Sequence, residues 1–220
     1  MNIFKSMAGV VLLAVSTCGI ANADDSEWGV GIKAGTLGLG LEARWSGLPY
    51  IDVRLGANQY TLDESGRQAN VLYNTELDLE TFYLTANFHF PVSPFRITLG
   101  AFANGNELSM VSAEPGDFNV GGDFYTGPEV GTMSAITSFD STSPYLGLGF
   151  DFELFGKAGL NFDLGVLWQG EPVVELSADG LLALDPTFLA SLEAERLELE
   201  EDMSDFKAYP VVSLSIVYNF

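Results

Sequence analysis

The last ten residues set the period of the chain. From Val211 to Phe220, the apolar side chains Val212, Leu214, Ile216, Tyr218 and Phe220 occupy one parity, while Ser213, Ser215 and Asn219 occupy the other. A period of two predicts a β-strand with one apolar and one polar face. The pattern recurs upstream. Leu146, Leu148, Phe150, Phe152 and Leu154 alternate with Tyr145, Gly147, Gly149, Asp151 and Glu153, and Leu160 to Trp168 alternate with Asn161, Asp163 and Gly165. Phe82 to Phe90 oppose Tyr83, Thr85, Asn87 and His89, and Phe95, Ile97, Leu99 and Ala101 oppose Arg96, Thr98 and Gly100. Two more runs are Ile51 to Ala57 against Asp52, Arg54, Gly56 and Asn58, and Leu37 to Trp45 against Gly38, Gly40, Glu42 and Arg44. Trp28, Val30, Ile32 and Ala34, with Lys33 between them, make the eighth strand. Residues 28–45 read either as two strands joined near Gly35 and Thr36 or as one strand with a bulge.

Alternation alone does not say which face meets water; the identity of the polar set does. That set contains Lys33, Glu42, Arg44, Asp52, Arg54, Arg96, Asp151, Glu153 and Asp163, interleaved with glycines. Such a face covers a water-exposed sheet poorly but suits the filling of a narrow tube. The strands, roughly 9 to 14 residues long, match the ~9 to 11 tilted residues that cross a bilayer. The apolar parity is therefore assigned to lipid and the charged parity to a lumen. In hydrocarbon only a closed barrel satisfies the strand edges.

The connections agree. Joints at Leu154 to Ala158, Phe90 to Pro94 and Trp45 to Tyr50 are tight, while residues 61–75, 106–143 and 170–208 form long connections. Short periplasmic turns alternating with long extracellular loops are typical of outer-membrane barrels. The expected fold is thus all-β: a transmembrane eight-stranded antiparallel up-and-down β-barrel over 24–220, with both termini in the periplasm. Trp45, Tyr50, Phe90, Phe95, Tyr218 and Phe220 fall where interfacial aromatic girdles belong.

Composition adds a location. Lys5, the apolar run Met7 to Val15 and the small-residue site Ala21-Asn22-Ala23 form a secretory signal peptide, 1–23, cleaved after Ala23. Its removal from the 220 residues leaves 197, with 8 bases against 30 acids and no cysteine. Stability must then come from a large core or from a membrane rather than from disulfides. The negative charge excludes a nucleic-acid partner. The expected partners are outer-membrane lipid and lipopolysaccharide of a Gram-negative cell, together with the barrel-assembly machinery.

The third long loop carries the helical signal. Asp185-Pro186 offers an N-cap and a first-turn proline, and Phe188, Leu189, Leu192, Leu199, Met203 and Phe206 recur at helical spacing through 186–205, interrupted by Arg196. Glu193, Glu195, Glu198, Glu200, Glu201 and Asp202 form the opposite side. This helix is expected to pack as a lid on the barrel mouth. The acidic loops either concentrate cations near an opening or keep the exposed end soluble and bind divalent ions that bridge lipopolysaccharide. Their spacing matches no calcium loop, so no metal site is assigned. Catalytic chemistry lacks parts: the single histidine, His89, reads as a hydrogen-bonded filler of the wall, and no nucleophile–base set accompanies it. No enzyme activity or cofactor is expected.

The strings Ser143-Pro144-Tyr145-Leu146-Gly147-Leu148-Gly149-Phe150, Asp163 to Leu176, and Asp205 to Val212 resemble the small outer-membrane barrels of the CarO type. The resemblance spans most of the mature chain and is specific mainly from Tyr83 onward. It implies an eight-stranded barrel for which passage of small basic amino acids, ornithine among them, has been proposed. The ending Tyr218 and Phe220 resembles the signal read by the barrel-assembly machinery. Two functional classes follow. One is a narrow passive channel for small cationic or zwitterionic solutes, its path lined by the nine charged residues of the polar parity. The other is a closed structural or surface-interaction barrel whose acidic loops are the working part.

Overall fold

Strands with one apolar parity curl until the first and last can pair. In the computed structural model, residues 27–68, 71–113, 116–155 and 157–220 are described. The signal segment 1–23 and its cleavage point lie outside them. In chain order the elements are β1 (Trp28–Gly35), β2 (Gly38–Leu48), β3 (Ile51–Gln68), β4 (Val71–His89), β5 (Phe95–Asn104), β6 (Glu107–Ser112), β7 (Phe118–Val120), β8 (Asp123–Tyr125), helix α1 (Gly127–Val130), β9 (Met133–Ser138), β10 (Thr142–Phe155), β11 (Ala158–Trp168), β12 (Val173–Ala178), helix α2 (Pro186–Asp202) and β13 (Ala208–Asn219).

Eight of these strands form the barrel. Each of β1 to β4 pairs antiparallel with its successor, β5 pairs with β10, β10 with β11, and β11 with β13. Closure comes from β1 against β13, with Ile32 opposite Ile216 and Gly29 opposite Asn219. Residues 28–45 are two strands, joined by the tight turn Thr36-Leu37. That turn is pinned from β13: the Thr36 N–H donates to the Val212 carbonyl at 2.9 Å, and the Tyr209 hydroxyl donates to the Thr36 carbonyl at 2.7 Å.

The two faces differ as the alternation requires. Leu39, Leu55, Leu99 and Leu214 are exposed on the outside, Leu39 by 69%, whereas Arg96 on the inside is 0% exposed. A belt of large apolar residues on every barrel strand, around a charged interior, is stable only where hydrocarbon is the outer solvent.

Beyond the barrel the connections are not loops. The expected loop 61–75 is a continuation of β3 and β4, which stay in register from Tyr60 opposite Leu79 to Gln68 opposite Val71. The connections 106–143 and 170–208 supply β6, β9 and β12, which extend this ladder into a sheet ordered β3-β4-β6-β9-β12. The second short helix, α1, was also not evident from the sequence. The reason is a second core. Val71, Phe118, Val120, Val130, Met133, Phe188 and Leu192 are buried together, with Tyr73, Leu176 and Ala178 packed against them. This cluster gives the extramembrane alternation a face to bury, so the strands persist.

Helix α2 forms where the sequence places it but ends earlier, at Asp202, followed by a 3-10 turn over Ser204–Lys207. Asp185 caps it, accepting from the N–H groups of Thr187 at 2.8 Å and Phe188 at 3.2 Å. Its seat differs from the lid expected. Phe188 and Leu192 pack against the membrane-distal sheet, while Leu189 and Phe206 of the expected stripe are exposed. Arg196 interrupts the apolar series because it is held between Glu193 at 2.7 Å and Glu200. The same contact holds the Glu193 carboxyl below the usual carboxylate range, and together the two acids raise the Arg196 guanidinium above its ordinary value. Glu200 also accepts the backbone N–H of Val174 on β12, at 3.1 Å.

Truncating Phe188 to Ala should destabilise the extracellular unit by about 3 to 5 kcal/mol, and Asp185→Ala by about 1 kcal/mol. Limited proteolysis of the folded protein reads this out. The expected result is faster cleavage within 106–143 and 170–208 for Phe188→Ala, with the barrel's resistance to cold detergent unchanged.

Candidate functional site

The lumen gathers the charged residues that the alternation selects. Glu42 of β2 lies 3.3 Å from Lys33 Nζ of β1 and 3.8 Å from Arg54 Nη1 of β3, and accepts hydrogen bonds at 2.9 Å from Tyr83 of β4 and Ser215 of β13. Asp52 accepts from Arg54 Nε at 3.3 Å, lies 3.4 Å from Arg44 Nε, and accepts from the Asn87 amide. Arg96 of β5 reaches two strands away: Nε is 2.9 Å from Asp151 and Nη2 2.6 Å from Asp163. Arg54 Nη2 spans the lumen to Asp151 at 3.6 Å. His89 fits between two carboxylates, Nε2 contacting Asp52 and Nδ1 lying 3.5 Å from Asp151.

These contacts reach all eight barrel strands. They are possible because opposite wall positions carry no side chain. A Cβ at Gly149 would meet the Arg96 guanidinium, and one at Gly56 would meet the Tyr83 hydroxyl. Small positions on the inward parity are therefore part of the charge network.

Of the nine charged residues expected in the lumen, the network holds eight. Glu153 stands apart. It is exposed, and it forms no ion pair among the described residues. The register of β10 against β11 shifts between Glu153 and Phe155, at the periplasmic end and below the layer of cations, so this carboxylate projects to the rim. Without it, the charges balance. Lys33, Arg44, Arg54 and Arg96 face Glu42, Asp52, Asp151 and Asp163. Asp151 pairs with Arg54 and Arg96, and Arg44 pairs with Asp52.

A second layer, unseen in the sequence, closes the extracellular half. Leu37, Tyr83, Phe102, Tyr145, Leu167 and Val211 are buried together across the bore. Tyr83 stacks on Phe102 with ring centroids 5.0 Å apart, and Phe102 meets Tyr145 at 5.2 Å. Lys33 Nζ sits 4.7 Å from the centre of the Tyr83 ring and so ties the aromatic layer to the ionic one. Tyr83 and Tyr145 already stood on the polar parity. Extending the parity of Arg96 and Thr98 to Phe102 would have completed the signal. Above this layer, Asn106 donates to Gln169 at 3.5 Å, and Gln169 donates to the Phe206 carbonyl at 3.0 Å. The free space left between the layers, bordered by Lys33, Arg54, Tyr83, Tyr145 and Asp163, is about 20 Å³, room for about one water molecule.

No group of three or more His, Cys, Asp or Glu residues is arranged to hold a metal ion among the described residues. Tyr218 is half-exposed on the outer parity, and Phe220 donates its backbone N–H to the Trp28 carbonyl at 3.1 Å. Phe220, just after β13, is thereby fastened to the first residue of β1.

The arrangement defines a class: a transmembrane eight-stranded barrel of the outer-membrane kind, with a filled bore and a folded extracellular unit. Two crystal structures have a similar fold. The chain superposes on Acinetobacter baumannii CarO2 with a TM-score of 0.60 at 20% identity, covering 88% of this chain and 98% of that one. On Acinetobacter baumannii CarO the TM-score is 0.58 at 21% identity, covering 91% of this chain and 100% of that one. The fold is thus a CarO-type barrel. No family profile and no curated protein sequence matches the chain.

Replacing Arg96 with Ala leaves Asp151 and Asp163 without their shortest cationic contacts inside the wall. Removing one partner of a buried pair is expected to destabilise by about 3 to 5 kcal/mol. Urea unfolding in detergent micelles, followed by tryptophan fluorescence, measures the loss. Glu153→Gln, outside the network, should leave the midpoint unchanged.

Proposed function

We propose that the exported chain is a closed outer-membrane barrel that anchors and presents its acidic extracellular unit, and that it is not an open diffusion channel. One observation carries this reading: the bore is filled by a charge-balanced ionic layer and an aromatic layer, with about 20 Å³ free between them. A solute-binding path requires a cavity of roughly 300 Å³ or more. Moving an ornithine-sized molecule through would require Arg54 and Arg96 to leave carboxylates in a low-dielectric interior, and the Tyr83–Phe102–Tyr145 layer to part as well.

Localisation is part of the proposal. A signal peptide at 1–23 delivers the chain to the periplasm, cleavage follows Ala23, and the assembly machinery reads Tyr218 and Phe220. The apolar belt and the barrel fold support insertion into the outer membrane beside lipopolysaccharide. The acids of the extracellular unit then keep the exposed end hydrated.

Planar-bilayer recording of the refolded mature protein tests the reading. The expected trace has no conductance steps, with or without ornithine. Regular steps whose cation selectivity weakens in Asp151→Asn would overturn it and favour the channel.

A further inference from the structure

One stretch of the extracellular unit has a strand on one side only. The last rung between β2 and β3 is Leu39 opposite Gln59, whereas β3 goes on to Gln68 against β4. Over 60–68, no strand pairs with its other side among the described residues. The β1–β2 hairpin is held too short to cover it. Gly38 turns the chain with φ +95°, a Cβ there would meet the Gln59 carbonyl oxygen, and Tyr209 ties the turn down.

Register decides which backbone groups are left open. His89 donates its N–H to the Tyr50 carbonyl at 2.8 Å, and β3 and β4 then stay in step from Ile51 opposite Phe88 to Gln68 opposite Val71. In an antiparallel pair, residues that exchange hydrogen bonds alternate with residues that do not. Even-numbered residues of β3 therefore bond β4, and Thr61, Asp63 and Ser65 turn their N–H and C=O groups to the open side. The Gln59 carbonyl, which points at β2, has the same parity.

The side chains on the two faces select an occupant. Tyr60 and Leu62 continue the inward parity, so they do not face lipid, yet they are 43% and 42% exposed. Leu79 and Leu77 lie opposite them on β4. The outward parity is acidic here, with Asp63 opposite Glu76 and Thr61 opposite Asp78. A strand added to this edge gains most with apolar side chains on the inner face and basic ones on the outer. A second copy of the chain does not fit. Two barrels in one membrane, related by a two-fold axis along its normal, bring β3 against β3 in parallel, with Asp63 beside Asp63. The opposite edge of the sheet, β12, has its Val174 amide taken by Glu200.

We propose that the open edge of β3 is a β-augmentation site for an extended cationic peptide from outside the cell, one in which basic and apolar side chains alternate. The peptide runs antiparallel to β3, as β2 does nearer the membrane, with its basic residues opposite Thr61 and Asp63 and away from Arg67. The site gives the presented extracellular unit a class of partner; it rests on the outward placement proposed above and not on whether the bore conducts.

Fluorescence anisotropy of the refolded mature protein in uncharged detergent micelles tests it, the probe being a fluorescein-labelled peptide of alternating lysine and valine, about nine residues long. Binding is expected, together with slowed amide hydrogen exchange across 60–68. Methylating the peptide nitrogens that face β3 keeps charge and side chains and should weaken binding by about tenfold. Ser65→Pro, which removes an open-side N–H but no rung to β4, should do the same, while Ser65→Ala should bind as wild type. Heat-modifiable gel migration verifies that each variant remains a barrel. Equal binding of the methylated peptide, wild-type binding by folded Ser65→Pro, or unchanged exchange at 60–68 would overturn the site. A micellar dimer that Ser65→Pro dissolves would also overturn it and assign the edge to a second copy. Binding in micelles but not to intact cells displaying the protein would instead overturn the outward placement.

Discussion

A backbone in hydrocarbon has no solvent to bond with, and the rest of this structure follows from that. The ladder between β1 and β13 leaves no open edge in the membrane-spanning part of the sheet. Once eight strands close, the bore is narrow and must be filled by their own inward side chains. Those side chains are ionisable, so they must neutralise one another. The four cations and four carboxylates in contact inside meet this requirement. Glu153, the ninth charge of the parity, sits at the rim, where water can solvate it.

The two layers of the bore do different physical work. Ionic pairs specify which wall positions approach one another, since Arg96 reaches Asp163 only if β5, β10 and β11 hold their register. The aromatic layer excludes water from the extracellular side and lowers the local dielectric, which strengthens the pairs below it. Lys33 belongs to both, contacting Glu42 and the Tyr83 ring. A change in either layer is therefore felt in the other, and the closed bore behaves as one packed unit.

Much of this was legible as alternation. The eight membrane strands, the lipid-facing parity and the short periplasmic turns each rest on a period-two pattern that burial in a bilayer enforces. Asp185-Pro186 likewise announced the start of α2, because capping is local chemistry. The extracellular sheet was not legible. Residues 61–75 look polar, and their strand character depends on a distant partner surface built from Phe118, Val120 and Phe188. The seat of α2 was misread for the same reason: its apolar residues lie on two faces, and only tertiary contacts choose between them. The ionic layer was foreseen as a set of residues, but its pairings depend on stagger between strands, which a single sequence does not specify. The aromatic layer escaped notice because Phe102 lies just past Ala101, where the alternating run read from the sequence ends.

The contact between Glu200 and the Val174 N–H has a consequence for neighbouring molecules. β12 is the outermost strand of the extracellular sheet, and an outermost strand with free amides is a template for fibrous stacking. Here a carboxylate already occupies one of those amides, and a guanidinium holds that carboxylate in place. In a crowded bilayer, where many copies stand with parallel axes, this small clasp works against sideways polymerisation and favours separate, laterally diffusing particles.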